Sequence, residues 1–188
     1  MKRVLFGGSF NPPTIAHYQI IEYLATSKKF DEVLILPNGD SYQFKDKILN
    51  NFNHRVEMLK ILCKKFDNVK ILELENKETF TGTCDTLEFL NHPYFILGDD
   101  CLYSLHLWKN SKKLLAENHF IVVNRGIDKN YQEIILKNEF LAPYFDHFEF
   151  IDIDTADVSS SAFRNNHQED VVTKEVLDYI KVNKLYGY

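Results

Sequence analysis

Residues 4–17 read VLFGGSFNPPTIAH. An apolar run, Val4-Leu5-Phe6, stops at Gly7-Gly8. Ser9, Phe10, Asn11 and two prolines follow, and Thr14-Ile15-Ala16-His17 then opens a segment with helical spacing. This is the pattern of a short strand, a bare turn and a helix start. Glycine at 7 and 8, directly after a strand, permits positive φ and lets a ligand approach main-chain N–H groups with no Cβ in the way. Thr14 suits an N-cap, which places His17 in the first helical turn, where unpaired N–H groups and the helix dipole attract anions. The stretch has the parts of a phosphate site, although the same letters would serve a tight strand-to-helix turn with a surface histidine. It is neither G-x-x-x-x-G-K-[ST] nor G-x-G-x-x-G, so a Walker loop and a dehydrogenase dinucleotide turn are both excluded.

Outward from this stretch the chain alternates. Runs rich in β-branched and aromatic residues fall at 2–6, 32–36, 69–74, 94–97, 119–123 and 148–153. Between them lie stretches of helical spacing: Ile15, Tyr18, Ile21 and Leu24; Val56, Leu59, Leu62 and Cys63, continuing to Phe66; and Leu87 with Leu90, where Asp85 or Thr86 could cap. Val172, Val176, Tyr179 and Ile180 mark another near the C-terminus. Strand–helix alternation predicts right-handed crossovers and an α/β fold: a Rossmann-like, doubly wound, mostly parallel sheet with helices on both faces. Ligands of such folds bind outside the carboxyl ends of the strands, where strand order reverses. No repeat or linker divides the chain, so one domain over 1–188 is expected.

Composition narrows the classes further. The net charge of −5 argues against non-specific nucleic-acid binding, which asks for a basic face, but leaves room for a small anionic substrate held by a local cationic cluster. No apolar run is long enough for a membrane span, and no signal peptide is read at the N-terminus. Three cysteines, Cys63, Cys84 and Cys101, have no metal-ligand spacing, and their odd number fits a reduced, cytoplasmic compartment.

A second segment, Asp157-Val158-Ser159-Ser160-Ser161-Ala162-Phe163-Arg164, offers hydroxyl and main-chain donors at a helix start. One turn later it adds a planar, permanently charged guanidinium. A serine cap with a solvated arginine is the plain alternative. A third, Tyr94-Phe95-Ile96-Leu97-Gly98-Asp99-Asp100, is an apolar strand ending in Gly-Asp-Asp, where Asp99 could cap a following helix. Trp108 is the only tryptophan.

The stretch GGSFNPPTIAH resembles the G-x-F-[DN]-P-x-[HT]-x-x-H signature of the nucleotidyltransferase superfamily, relatives of the class I aminoacyl-tRNA synthetases. Within it, the whole chain resembles the nicotinate/nicotinamide mononucleotide adenylyltransferases. Residues 157–164 resemble the family's I-S-S-T/S-x-x-R segment, which wraps the ATP phosphates. The resemblance implies that ATP and a pyridine mononucleotide react to a dinucleotide (deamido-NAD or NAD) and pyrophosphate, with Mg²⁺ carried by ATP and no metal site in the protein. It implies His17 and Arg164 as catalytic residues. On the ATP side it implies Gly7, Gly8, Ser9, Phe10, Thr14, Gly98, Arg125, Ser160 and Ser161. On the mononucleotide side it implies Asp100 near the ribose, Thr83 (in Thr81-Gly82-Thr83-Cys84-Asp85-Thr86) and Trp108 at the pyridine ring. Lys109, next to Trp108, is a candidate for a nicotinate carboxylate, or is simply a solvated lysine.

The chain also departs from the pattern. Thr14 stands where many bacterial members have the first histidine of H-x-G-H, keeping a hydrogen-bonding group without the cation. Their P-P-H-K loop is absent. In its place, residues 36–45 (LPNGDSYQFK) look more like the G-D-x-Y-x-x-K of eukaryotic members, making Lys45, or Lys47 in a shifted register, the candidate for the mononucleotide phosphate. The acid-or-amide choice stays open, as does homo-oligomer formation. Other readings are a related phosphopantetheine adenylyltransferase or cytidylyltransferase, or a non-catalytic nucleotide sensor of this fold.

Overall fold

The computed structural model describes residues 1–40, 50–76, 82–124 and 130–188, the side chains of Asp99 and Asp100 excepted. Six strands form one sheet: β1 (Arg3–Gly8), β2 (Glu32–Pro37), β3 (Val69–Ile71), β4 (Tyr94–Leu97), β5 (Phe120–Asn124) and β6 (Phe148–Asp152). Their spatial order is β3-β2-β1-β4-β5-β6, and every neighbouring pair is parallel. The helices are α1 (Ile15–Thr26), α2 (Phe52–Cys63), α3 (Thr83–Phe89), α4 (Asp99–Ser104), α5 (Ser111–Glu117), α6 (Tyr131–Lys137), α7 (Ser160–Asn166) and α8 (Lys174–Val182).

Successive strand residues point to opposite faces, and here both faces are covered. Val4, Phe6, Val33, Ile35, Ile96, Ile121 and Val123 join a core closed by Ile20, Ile21 and Leu24 of α1, Met58 and Leu59 of α2, Phe163 of α7 and Ile180 of α8. Leu5, Leu34, Leu36, Phe95, Leu97, Phe120 and Val122 face the other way, onto Leu87 of α3, Leu102 of α4, Leu114 of α5 and Ile135 of α6. This is the doubly wound sheet expected from the alternation. Chain order reverses at β1, with β2 on one side and β4 on the other, so the crevice lies beyond the ends of β1 and β4. Among the described residues, no helix is long and apolar enough to cross a membrane.

Three local expectations are corrected. Gly7 and Gly8 do not follow β1; they end it, in register with Leu36 and Pro37 of β2. β3 stops at Ile71 rather than running to 74. Neither Asp85 nor Thr86 caps α3: Gly82 holds the cap position at φ 135°, a conformation that glycine tolerates, and Thr86 Oγ1 donates back to the Gly82 carbonyl at 3.2 Å.

Candidate active site

The turn after β1 is shaped by packing. Neither Gly7 nor Gly8 has positive φ; the left-handed conformation falls on Phe10, at φ 45°. Phe10 is fully buried, its ring edge-on to Phe6 and to His17 at 5.4 and 5.0 Å between centroids. Space for a Cβ is tight at Gly8 and ordinary at Gly7. A Cβ on Gly7 would stand 3.4 Å from the Phe95 ring, and one on Gly8 3.3 Å from the Phe10 ring.

Thr14 caps α1 as expected, and the cap is reciprocal. The His17 main-chain N–H reaches Thr14 Oγ1 at 3.5 Å, and the Thr14 N–H donates to His17 Nδ1 at 2.9 Å. Thr14 Oγ1 also lies 2.8 Å from Nδ1. A ring nitrogen that accepts a main-chain N–H carries no proton, so the neutral imidazole bears its proton on Nε2. The cap thus fixes both the ring's orientation and its tautomer.

The far segment meets this turn directly. α7 is capped by Ser159, whose side chain accepts the Ala162 N–H at 3.2 Å. Ser160 Oγ donates to the Pro12 carbonyl at 2.8 Å. Arg164 donates from Nη1 to the Asn11 carbonyl at 2.6 Å, across 153 positions of sequence, and from Nη2 to Ser161 Oγ at 3.0 Å. The two segments that sequence reading singled out therefore form one polar surface at the end of β1.

Several residues at this surface were missed. Asn11 is fully buried; its Oδ1 accepts the Asn50 N–H at 3.1 Å and the Tyr186 hydroxyl at 2.9 Å. Burial pushes the Tyr186 phenol above its ordinary range. Arg55 is fully buried on α2, and Glu75 is buried nearby with Oε2 accepting from Asn38 Nδ2 at 2.9 Å. Burial raises the Glu75 carboxyl to about 7, against opposing hydrogen bonds from Asn38 and Gly39 and the charge of Arg55. One signal was available for Arg55: it shares helical spacing with Phe52, Val56 and Leu59, which puts a cation on a buried stripe. Nothing in the letters marks Tyr186.

On the other side of the crevice, Gly98 ends the β4 turn at the head of α4, with open space where a Cβ would be. Asp100 lies in the first turn of α4, its side chain outside the described residues. Thr83 is the first residue of α3. Trp108 is half-buried, its ring edge-on to Phe95 at 6.2 Å, the same Phe95 that lies over Gly7. Lys109 runs its stem past Gly82 and sets Nζ 3.8 Å from Asp85 Oδ2, beside the Thr83 turn. Lys109 is thus brought to the start of α3, while Trp108, its chain neighbour, packs on Phe95 of β4. Lys45, Lys47 and Arg125 lie outside the described residues. Among those described, no group of three His, Cys, Asp or Glu could hold a metal ion; the turn and α7 offer hydroxyls, a guanidinium and an imidazole, donors suited to phosphate oxygens.

The cytidylyltransferase-like family model matches residues 5–166. A probable nicotinate-nucleotide adenylyltransferase of Acholeplasma laidlawii is 34% identical over 97% of this chain and 96% of its own length. One from Clostridium acetobutylicum is 31% identical, covering 98% of each. The solved Plasmodium falciparum nicotinic acid mononucleotide adenylyltransferase complexed with NaAD superposes with a TM-score of 0.79 at 25% identity, over 99% of this chain and 98% of that one. Its complex with APC gives 0.77 at 24%, with the same coverage.

Proposed function

We propose a division of labour that starts from one premise: this chain belongs to the nicotinate-nucleotide adenylyltransferases, within the cytidylyltransferase-like family. It is an adenylyltransferase of NAD biosynthesis, transferring AMP from ATP to a pyridine mononucleotide with release of pyrophosphate. Relatives named for this activity match nearly the whole chain, which displaces the phosphopantetheine and cytidylyl readings.

The mononucleotide phosphate is an anion at neutral pH, so no general base is required. Charge repulsion and in-line geometry oppose the reaction, and catalysis is positioning plus electrostatic stabilisation. His17 donates Nε2–H to the α-phosphate as charge builds there. A guanidinium has five N–H donors, so Arg164, with two of its nitrogens already donating to Asn11 and Ser161, keeps others for the β- and γ-phosphates and the departing pyrophosphate. Ser160 and Ser161 assist it. Gly7, Gly8, Ser9 and Phe10 offer main-chain donors, and Thr14 holds the imidazole. Gly98 and Arg125 complete the ATP side. Lys45, or Lys47, neutralises the incoming phosphate; Asp100 fixes its ribose; Thr83 and Trp108 orient the pyridine ring, with Lys109 beside a nicotinate carboxylate. Mg²⁺ arrives with ATP and lowers the charge of the triphosphate.

In this reading one domain over 1–188 carries both substrate sites and works in the cytoplasm, with nicotinate mononucleotide the preferred acceptor. The observation that carries it is the bond from Arg164 to Asn11, which supports a single triphosphate site between α1 and α7. The test is to incubate the protein with ATP, Mg²⁺ and each mononucleotide in turn and measure pyrophosphate. Release with the acid, and less with the amide, is expected. No release with either would leave a nucleotide-binding protein without turnover.

A further inference from the structure

The residue that ties the turn after β1 to its neighbouring segments is neither His17 nor Arg164. Arg55 has no exposed surface, and its guanidinium donates to acceptors on three separate pieces of chain. Nη1 reaches the Ser9 carbonyl at 2.9 Å, in the turn after β1. Nη2 reaches Asp40 Oδ1 at 3.0 Å, and Nε reaches the Asn50 carbonyl at 2.8 Å. Asp40 follows β2 and Asn50 precedes α2, so one side chain ties both of these described segments to the turn after β1. The surroundings reinforce the tie. Asp40 Oδ2 accepts the Phe52 N–H at 3.2 Å, Asn38 N–H donates to the Gly8 carbonyl at 2.9 Å, and Asn50 N–H holds Asn11.

A fully buried cation is an unfavourable way to fill a core, because an apolar side chain of similar volume avoids its desolvation. What the guanidinium supplies is a planar fork that fixes three acceptors at once, which an ammonium cannot reproduce. We propose that Arg55 is a positioning residue for adenylyl transfer: through Ser9, Asp40 and Asn50 it fixes the triphosphate turn against the chain leaving β2 and the chain entering α2. The proposal rests on the adenylyltransferase reading. It concerns the geometry of the turn during transfer, not the affinity for either substrate.

The test compares Arg55→Lys and Asp40→Asn with the wild-type protein. Unfolding midpoints are recorded first, and kcat and both KM values are measured well below each variant's own midpoint. Arg55→Lys is expected to lower kcat about 10–100-fold, the scale of a small misplacement at a transfer site, while both KM values stay within about threefold. Asp40→Asn, at a partly exposed carboxylate, is expected to move kcat the same way by less. If Arg55→Lys does not fold, Asp40→Asn decides. A folded Arg55→Lys protein with near wild-type kcat overturns the proposal, as does a fall in kcat that only tracks lost folded protein. An inactive wild-type protein overturns the enzyme reading and this one with it; active wild type with unaffected variants overturns this one alone.

Discussion

His17 is held at Nδ1 by the Thr14 N–H, and a neutral ring so held presents a hydrogen-bond donor at Nε2 without having to gain a proton. His17→Ala should therefore lower kcat by ~10²–10³-fold, the effect of removing one transition-state donor, with a separate fall of about 1 kcal/mol in stability because the buried Thr14 N–H loses its acceptor. Steady-state kinetics beside a thermal melt checks both halves. Lys109 supports a second expectation. Its ammonium is 59% exposed and already pairs with Asp85, so it can discriminate only weakly. Lys109→Ala should reduce the preference for the acid over the amide mononucleotide, read as a ratio of kcat/KM values, by no more than about fivefold. An unchanged ratio would assign Lys109 to the surface. Thr14, His17 and Arg164 were legible in the sequence because short-range cap chemistry and a motif mark them. Asn11 and Tyr186 were not, since their roles arise from partners 153 and 175 positions away, and Arg55 showed only its place on a buried helical stripe, not its partner 46 positions away.

The elements were legible from periodicity, and their ends less so. The glycine pair read as a break belongs to β1 because β2 continues beside it and supplies pairing partners. The start of α3 was misplaced because cap preference was judged from Asp and Thr side chains, whereas the main chain turns at Gly82. Gly39, just after β2, shows what such a turn requires. A Cβ there would stand 2.2 Å from the Glu75 carbonyl oxygen and 2.9 Å from its carbon, main-chain atoms that cannot swing aside. Gly39→Ala should destabilise the protein by ~1–3 kcal/mol, seen as a lower urea midpoint with an unchanged slope. The cap of α8 offers a milder comparison: Thr173 accepts the Val176 N–H at 3.4 Å, and Thr173→Ala should cost about 1 kcal/mol in the same assay.

Across the molecule, the parallel sheet with helices on both faces follows from the alternation read in the sequence, whereas the order β3-β2-β1-β4-β5-β6 is visible only in the structure; the crevice it creates lies beside Thr14, His17 and Arg164. The charge state of the interior was not legible, because Glu75 looks like any surface glutamate until the fold buries it. Its carboxyl titrates at about 7 in the folded chain, above the ordinary 4.5. Between those values the folded state holds a proton that the unfolded chain has released, so this group's contribution to stability falls as pH rises from 4.5 to about 7. Glu75→Gln cannot titrate. The stability difference between variant and wild type should move in the variant's favour across that window and level off above it; urea midpoints on either side of the window check this. A parallel pH dependence for the two proteins would remove Glu75 as the source.

The Tyr186 hydroxyl bound to Asn11 also has a consequence for biosynthesis. During translation β1 and its turn leave the ribosome early, yet Asn11 must wait 175 residues for that phenol to be made. A nascent chain can lay down its whole sheet and still lack one support of the turn after β1 until residue 186 has been made.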